Sequence, residues 1–326
     1  MTSRERVRRA IHFGSPDRLP ILYFNKDQDD SDIILIDVVR HFMGERKDRS
    51  EWGFDWERRD ETMGQPRQVL VRRWEDLDTL TVPDAYDETR FAEFARARER
   101  FGPDRYFIAS LVLTGFTVMS FLRGFESTLE DLYMDTEHME QLADLVFGFE
   151  EAVIARAAEE GFDGVSFYDD WGTQETLIIS PDLWRSFFKE RYRRQFDFAH
   201  AHGLDVYFHS CGYIEEIIPD LIEIGVDMLN ISQPNLYDME RLGALHRGNV
   251  CFVCPISYQT TSITGTREDI FREASRLITN LAQPDGGFIG YVEEYHSIGM
   301  SDENYQSCID AFRTVTPPAH APEAEA

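Results

Sequence analysis

Cysteine is scarce in this chain and long apolar runs are absent, and each shortage excludes a class of protein. Four cysteines in 326 residues do not make a disulfide scaffold, so we expect free thiols that act as ligands or as core residues. No uncharged apolar run of about 18 residues occurs, and the N-terminal stretch MTSRERVRRAIHFG holds no apolar signal core. These absences predict a soluble, cytoplasmic protein with no membrane segment.

Positive charge is also in short supply. The sequence has 33 lysines and arginines against 60 aspartates and glutamates, a formal net charge of -27. Such a chain repels phosphate-rich partners unless a local basic patch reverses the field. We therefore expect no nucleic-acid partner.

Helical and strand patterns alternate from residue 135 onward. One helix is predicted from an N-cap at Asp135 or Thr136 to Gly161, and another from Ser180 to Gly203. Each helical pattern precedes an apolar strand, and the five strands are DGVSFYDD, LDVYFHSC, VDMLNIS, NVCFVCPI and FIGYVEE. This alternation predicts a parallel sheet covered by helices.

Two upstream segments, residues 18–24 and 105–113, bring the number of predicted strands to seven. No glycine-rich GxGxxG loop follows any of them, so an α/β fold of the (β/α)8 TIM-barrel type is favoured over an open dinucleotide-binding sheet. We predict one barrel domain over residues 1–316, with an insertion near residues 50–80, interpreted as a hairpin over one barrel end. The Pro, Ala and Glu tail at 317–326 is predicted to be disordered.

Potential ligands and proton carriers are concentrated where the predicted strands end. In (β/α) barrels the working residues lie at the C-terminal ends of the strands. The residues at those positions are Asn25, Lys26, Thr114, Asp169, Asp170, His209, Cys211, Asn230, Cys254, Glu293, Glu294 and His296. Among them, Asn25, Lys26 and Asn230 are predicted to contact substrate, with Trp171 as a wall of the substrate site.

The segment HSCG contains the clearest candidate pair. Side chains two apart on a strand share a face, so His209 and Cys211 are expected to point together into the barrel mouth. An imidazole and a thiolate with two further ligands complete a tetrahedral zinc site. The candidates for the remaining positions are Asp169, Asp170, Cys254, Glu293, Glu294 and His296. The alternative is that His209 bonds a backbone carbonyl and Cys211 is a small buried residue.

The alternation of side chains along a strand argues against a second pair of ligands in the CxxC segment. Cys251 and Cys254 are three apart, so a strand sends them to opposite faces. We expect Cys251 to pack against the helices and Cys254, at the strand end, to face the site.

Several motifs together resemble one known superfamily. They are SPDRLP, WEDLDTLTVPD, GFDGVSFYDDWGTQ, the helix and strand ending in HSCG, IIPDLIEIGVDMLN and GGFIGYVEEYHSIG. Over about residues 3 to 315 the chain resembles the uroporphyrinogen decarboxylase-like superfamily. The resemblance implies a (β/α) barrel and one of two activities, cofactor-free decarboxylation or zinc-dependent methyl transfer involving a corrinoid. In the methyltransferases the HxC pair supplies two zinc ligands, which maps onto His209 and Cys211.

The sequence departs from both branches of the superfamily. The decarboxylases carry an Arg-Gln-Ala-Gly stretch after the first strand, whereas this chain has FNKDQDD, whose Asp27, Asp29 and Asp30 should repel a porphyrinogen with eight carboxylates. The methyltransferases carry a second cysteine in the loop after the last strand, and this loop reads VEEYHSIG. If zinc binds, Glu294 or His296 takes the place of that cysteine, or Cys254 reaches in from the neighbouring strand.

The resemblance and the HxC pair favour a zinc-dependent methyltransferase acting between a small substrate and a corrinoid. In this interpretation Asp169 or Asp170 is a ligand or an acid, and Glu294 is a further catalytic group. The cobalamin is expected on a partner protein, because no DxHxxG segment is present. Two alternatives stay open, a metal-independent decarboxylase with Lys26 or an Arg pairing the carboxylate and a non-catalytic binding protein. The sequence does not fix the oligomeric state, and a homodimer is one that it allows.

Overall fold

The architecture is that of a barrel with one short additional strand pair. The computed structural model describes residues 1–24, 28–45, 47–58, 64–293 and 299–316. The barrel strands are β1 Ile21–Phe24, β2 Ile33–Asp37, β5 Tyr106–Ser110, β6 Gly164–Tyr168, β7 Asp205–Ser210, β8 Met228–Ile231, β9 Cys251–Pro255 and β10 Phe288–Glu293, and the additional pair is β3 Trp56–Glu57 with β4 Gln65–Pro66.

The eight barrel strands follow the order β1-β10-β9-β8-β7-β6-β5-β2. All seven pairings in this order are parallel. The seam between β1 and β2 is bridged by hydrogen bonds between β1 and the residues that directly precede β2. The Asp32 amide donates to the Ile21 carbonyl at 2.9 Å, the Ile21 amide donates to Asp32 Oδ2 at 3.0 Å, and the Tyr23 amide donates to Ser31 Oγ at 3.1 Å. The predicted (β/α)8 barrel is confirmed.

The helices lie around this sheet, and a helix is found before each of the last five strands, as the sequence predicts. They are α1 Ser3–Ile11, α2 Ala92–Phe101, α3 Gly115–Arg123, α4 Phe125–Met134, α5 Thr136–Glu160, α6 Pro181–Trp184, α7 Glu190–Ala201, α8 Ile218–Glu223, α9 Met239–His246, α10 Thr261–Thr264, α11 Arg267–Leu281 and α12 Asp302–Thr314. Asp135 is the N-cap of α5, and Gly161 ends it in the left-handed conformation. The Ser180 hydroxyl accepts from the Leu183 amide, as predicted for an N-cap.

Two structural elements differ from the sequence expectation. The eighth strand, β2, was not predicted. Its five residues IILID directly follow a run of acidic residues, which is not typical of the start of a strand. The helix expected from Ser180 onward contains a π turn at Arg185–Lys189 between α6 and α7. In the insertion near residues 50–80, the antiparallel pair β3 and β4 is found where a hairpin was predicted.

The alternating side chains of the barrel strands build two cores. The inner core includes Leu22, Ile108 and Val253, and α1 closes its lower end by adding Val7 and Ile11. The outer core lies between the sheet and the surrounding helices. Side chains fill the interior of the barrel. A ligand therefore has to bind at the C-terminal ends of the strands rather than inside the barrel.

A membrane-spanning helix was not expected and is not found in the part of the chain that the structure describes. There, every helix is too short or too polar to cross a bilayer.

Candidate metal centre at the barrel mouth

The loops that follow β6 and β7 are joined edge to edge, and this contact creates the candidate site. The Gly172 amide donates to the Cys211 carbonyl at 3.1 Å, and the Tyr213 amide donates to the Thr173 carbonyl at 2.8 Å. Gly172 and Gly212 pack so closely that a Cβ on Gly212 would lie 2.2 Å from the Gly172 carbonyl carbon. The two glycines therefore allow the loops to approach and carry Asp170 to the end of β7.

Three potential metal ligands meet where these loops join. Cys211 Sγ lies 3.6 Å from His209 Nε2, and His209 Nε2 lies 3.6 Å from Asp170 Oδ1. The ligand atoms of Asp170, His209 and Cys211 all lie within 4.8 Å of one another. Tetrahedral zinc ligands at about 2.0 to 2.3 Å from the ion lie roughly 3.3 to 3.6 Å apart. The spacing therefore fits a single zinc ion.

The orientation of the His209 ring is set by Asn230. The Asn230 Nδ2 amide donates to the Val253 carbonyl at 2.7 Å, which turns the Asn230 carbonyl oxygen toward the ring. That oxygen lies 2.5 Å from His209 Nδ1, so Nδ1 carries the proton and donates. The lone pair of a neutral His209 is then on Nε2, which faces Cys211 and Asp170. A second partner that fixes the imidazole in this way is typical of metal-bound histidines.

The Cys211 thiol lies in an environment that disfavours its anion. Burial, and to a smaller extent the Asp170 charge, raise the pKa of Cys211 to about 12. The Ser232 hydroxyl, 3.5 Å from Cys211 Sγ, acts in the opposite direction by donating a hydrogen bond. A thiolate at this position therefore needs a cation beside it, which a divalent metal supplies.

The rest of the mouth is aromatic and acidic. The Tyr168 ring lies 4.7 Å from the His209 ring, centroid to centroid. Charges on Asp37, at the end of β2, and on Glu293, at the end of β10, act on Tyr168. Asp37 is exposed at the mouth, yet the surrounding protein desolvates its carboxyl and raises its pKa, against the effects of Ser110 and Lys47.

Asp169 lies apart from the three ligands and anchors a helix. It is fully buried, and its carboxylate accepts hydrogen bonds from the Phe116 and Thr117 amides at the start of α3. The Thr117 and Tyr192 hydroxyls also donate to it. Both carboxylate oxygens are therefore occupied by the N-terminal turn of α3 and its neighbours.

The other predicted contacts at the mouth have different surroundings from those expected. Trp171, expected as a wall of the substrate site, is fully buried and stacks on Phe116 with ring centroids 4.6 Å apart. Asn230, expected to contact substrate, is fully buried, and its amide is occupied by His209 and Val253. Asn25, Lys26, Glu294 and His296 lie outside the described residues, as does the tail at 317–326.

The two cysteines of β9 face the directions opposite to those expected. Cys251 belongs to the inner core of the barrel, and Cys254 belongs to the outer core between the sheet and the helices. They do lie on opposite faces, as their spacing requires. The error was to assume that the residue at the strand end faces the mouth, whereas the inward packing of Cys251 and Val253 sends Cys254 outward. Cys254 is therefore excluded as a ligand at the mouth.

Asp37 is a mouth residue that the sequence analysis missed. It was missed because β2 was missed, and a carboxylate directly after the run IILI is the signal that would have marked it. The choice of Asp170 over Asp169 depends on the contact between two loops and leaves no signal in the local sequence.

The chain is therefore a (β/α)8 barrel with a candidate metal centre, made of His, Cys and Asp side chains, at the C-terminal ends of its strands. The family model of uroporphyrinogen decarboxylase (URO-D) matches residues 58–314, and the chain belongs to this family. None of the curated proteins matches the chain.

Two solved structures are similar to this chain at low sequence identity. A methyltransferase from Methanosarcina mazei superposes with a TM-score of 0.75 at 16% identity, covering 96% of this chain and 98% of that one. The 3-keto-D-glucoside 4-epimerase YcjR from E. coli gives a TM-score of 0.45 at 14% identity over 75% of this chain and 94% of its own. At 16% identity the likeness to the methyltransferase concerns the fold alone.

Proposed function

We propose that this protein is a zinc-dependent methyltransferase that moves a methyl group between a small substrate and a corrinoid carried on a partner protein. The observation that carries the proposal is the cluster of Asp170, His209 and Cys211, with the His209 ring held by Asn230. The likeness in fold to a methyltransferase over nearly the whole of both chains is consistent with it.

The donor set suits zinc in its chemistry. One imidazole, one thiolate and one carboxylate provide three protein ligands, the number typical of catalytic zinc sites. A zinc ion held by Asp170, His209 and Cys211 would supply Lewis acidity to a substrate thiol or oxygen at its open position. The Asp170 side chain is 49% exposed, so a substrate can reach this cluster from the solvent.

The chain's own residues have distinct roles in this proposal. Asn230 holds the proton on His209 Nδ1, and the Cys211 amide, which donates to Asp170 Oδ1 at 2.8 Å, positions the carboxylate. Asp37 is the exposed carboxyl whose pKa is raised, and we assign proton transfer with the substrate to it. Asp169 is a positioning residue, since its carboxylate is committed to α3.

Decarboxylation without a metal is the competing function, and the family to which the chain belongs is named for it. It requires a cationic partner for the substrate carboxylate. At the described part of the mouth, the charges acting on Cys211 are those of Asp170 and Glu293, which repel an anion. The electrostatics beside Cys211 therefore disfavour a substrate carboxylate.

A methyl-transfer assay tests the proposal. The purified protein, loaded with zinc, is mixed with methylcobalamin and a panel of small thiols, and in the reverse direction with cob(I)alamin and methylated substrates, with and without candidate corrinoid proteins. We expect turnover, seen as the change in the corrinoid absorbance spectrum, and its loss by at least a hundredfold in Cys211→Ala. Cys254→Ala is the matched control and should keep the activity, because Cys254 faces away from the mouth.

The same preparations also test the competing function. Release of CO2 from a carboxylic acid at a rate that neither a chelator nor Cys211→Ala changes would contradict methyl transfer and establish decarboxylation.

A further inference from the structure

A second cluster of histidine and aspartate side chains lies at the N-terminal ends of the barrel strands, opposite the mouth. Asp205 is the first residue of β7, and Asp227 directly precedes β8. His12 is the C-cap residue of α1, and His200 lies in the last turn of α7. Four separate segments of the chain therefore contribute to this cluster, named here the lower cluster.

The distances in the lower cluster lie at or just below those of ligands around one ion. The ligand atoms of His12, Asp205 and Asp227 all lie within 4.8 Å of one another. His12 Nε2 is 3.0 Å from Asp205 Oδ1, and His200 Nε2 is 2.7 Å from Asp227 Oδ2. Ligands about 2.1 Å from an ion lie roughly 3.0 to 3.4 Å apart in octahedral or tetrahedral geometry. Small shifts of these side chains are enough to complete such a site.

The carboxylates and one imidazole are held in place by neighbouring groups. The Tyr106 hydroxyl donates to Asp205 Oδ2 at 2.5 Å, which leaves Oδ1 directed toward His12. The Val206 amide donates to Asp227 Oδ2 at 2.7 Å. Gly225 leaves room for the His200 ring, because a Cβ there would lie 3.0 Å from His200 Cε1. Hydrogen bonds of this kind, made to the ligands themselves, are what orient ligands in protein metal sites.

We propose that the lower cluster is a second metal site, which takes a divalent transition-metal ion of the zinc class through His12, His200, Asp205 and Asp227. Two imidazoles and two carboxylates suit zinc, whose borderline character accepts nitrogen and oxygen ligands together. The ion ties α1 and α7 to the strands β7 and β8. Its role is structural, since the lower cluster lies at the barrel end opposite the mouth.

The same distances also fit two ion pairs between protonated histidines and aspartates, so the experiment must separate a metal from protons. The full-length protein is stripped of metal with a chelator, and Zn²⁺ is then titrated in competition with a chromophoric chelator. The variants are His12→Ala and Asp227→Asn, each also combined with Cys211→Ala. His202→Ala is the matched control, because His202 is an exposed histidine two residues from His200 that bonds the Phe198 carbonyl instead.

The expected result is that wild type and His202→Ala bind one more equivalent of zinc than His12→Ala and Asp227→Asn, or bind it at least tenfold more tightly. The Cys211→Ala protein should keep this equivalent, which separates the lower cluster from the mouth. Zinc should also raise the thermal midpoint of the Cys211→Ala protein and not that of its combination with His12→Ala. Equal zinc binding by Cys211→Ala with and without the lower-cluster substitutions would overturn the proposal.

Discussion

The side chain of Asn230 decides which nitrogen of His209 is available to a metal. It is fully buried, and its two amide atoms are used in opposite senses, one donating to Val253 and the other accepting from His209. This arrangement makes Asn230 a positioning residue for the mouth. Partners of this kind are worth about 10- to 100-fold in metal affinity.

Replacing Asn230 by leucine should therefore weaken zinc binding at the mouth by about 10- to 100-fold. The leucine side chain fills a similar volume but offers no acceptor to His209 Nδ1. Asn230→Asp keeps an acceptor for His209 Nδ1 but loses the donor to the Val253 carbonyl, so it should retain more of the affinity than Asn230→Leu does. Competition with a chromophoric chelator measures both, and equal affinity of wild type and Asn230→Leu would refute the role assigned here.

The sequence predicted the pairing of His209 with Cys211 because a two-residue spacing on a strand admits one geometry. The choice of Asp170 as their neighbour could not be predicted in the same way. Asp169 and Asp170 are adjacent and chemically identical, and the difference between them arises from where two loops touch. One carboxylate is committed to α3, and the other reaches the Cys211 amide.

Among the elements, α3 has an unusual start. Its first amides are satisfied by two buried carboxyl groups from other segments, with Asp169 accepting from Phe116 and Thr117 and Glu150 accepting from Gly115 at 2.8 Å. Burial raises the pKa of Glu150 to about 8 and that of Asp169 to about 7, although the hydrogen bonds oppose this effect. The amides at the N-terminus of α3 therefore bond to buried carboxyl groups whose protonation changes near neutral pH.

The Glu150 shift makes stability depend on pH with a definite sign. The folded state keeps the Glu150 proton up to about pH 8, whereas the unfolded chain releases it near its ordinary value of about 4.5. Unfolding between these values releases a proton, so stability is greatest below the lower value and falls as pH rises toward the upper one. We expect Glu150→Gln to remove a loss of about 2 to 4 kcal/mol between pH 5 and pH 8.

Urea unfolding at a series of pH values measures this effect. The matched control is Glu140→Gln, an exposed position on the same helix, and it should show the pH dependence of the wild type. If Glu150→Gln and wild type lose stability in parallel over this range, then Glu150 is not protonated in the fold.

The strands show where local pattern is sufficient and where it is not. The five strands after residue 135 were predicted, since each stands between a capped helix and a turn. β2 was missed because a five-residue strand beside acidic residues has little local signal, and its place is set by pairing with β5. The predicted directions of Cys251 and Cys254 were the wrong way round. Which alternate side chains of a strand point into the barrel is decided by packing and not by the local sequence.

Over the whole molecule, the two ends of the barrel carry different groups. The fully buried Asp32 carboxylate accepts from Arg6 and Arg18 and from the Ile21 amide, so it holds the seam between β1 and β2 beside α1. The opposite end carries the Asp170, His209 and Cys211 cluster. The formal net charge of -27 of the whole chain favours the approach of a cation or of a partner with a basic face.

The zinc content of the purified protein tests the central claim most directly. The parent protein carries His12→Ala, so that the lower cluster contributes no ion. Elemental analysis compares this parent with its combinations with Cys211→Ala and with Cys254→Ala. We expect about one zinc per chain in the parent and in Cys254→Ala, and little in Cys211→Ala. No zinc in the parent after loading, or equal zinc in Cys211→Ala, would contradict a metal centre at the mouth and with it the methyltransferase proposal.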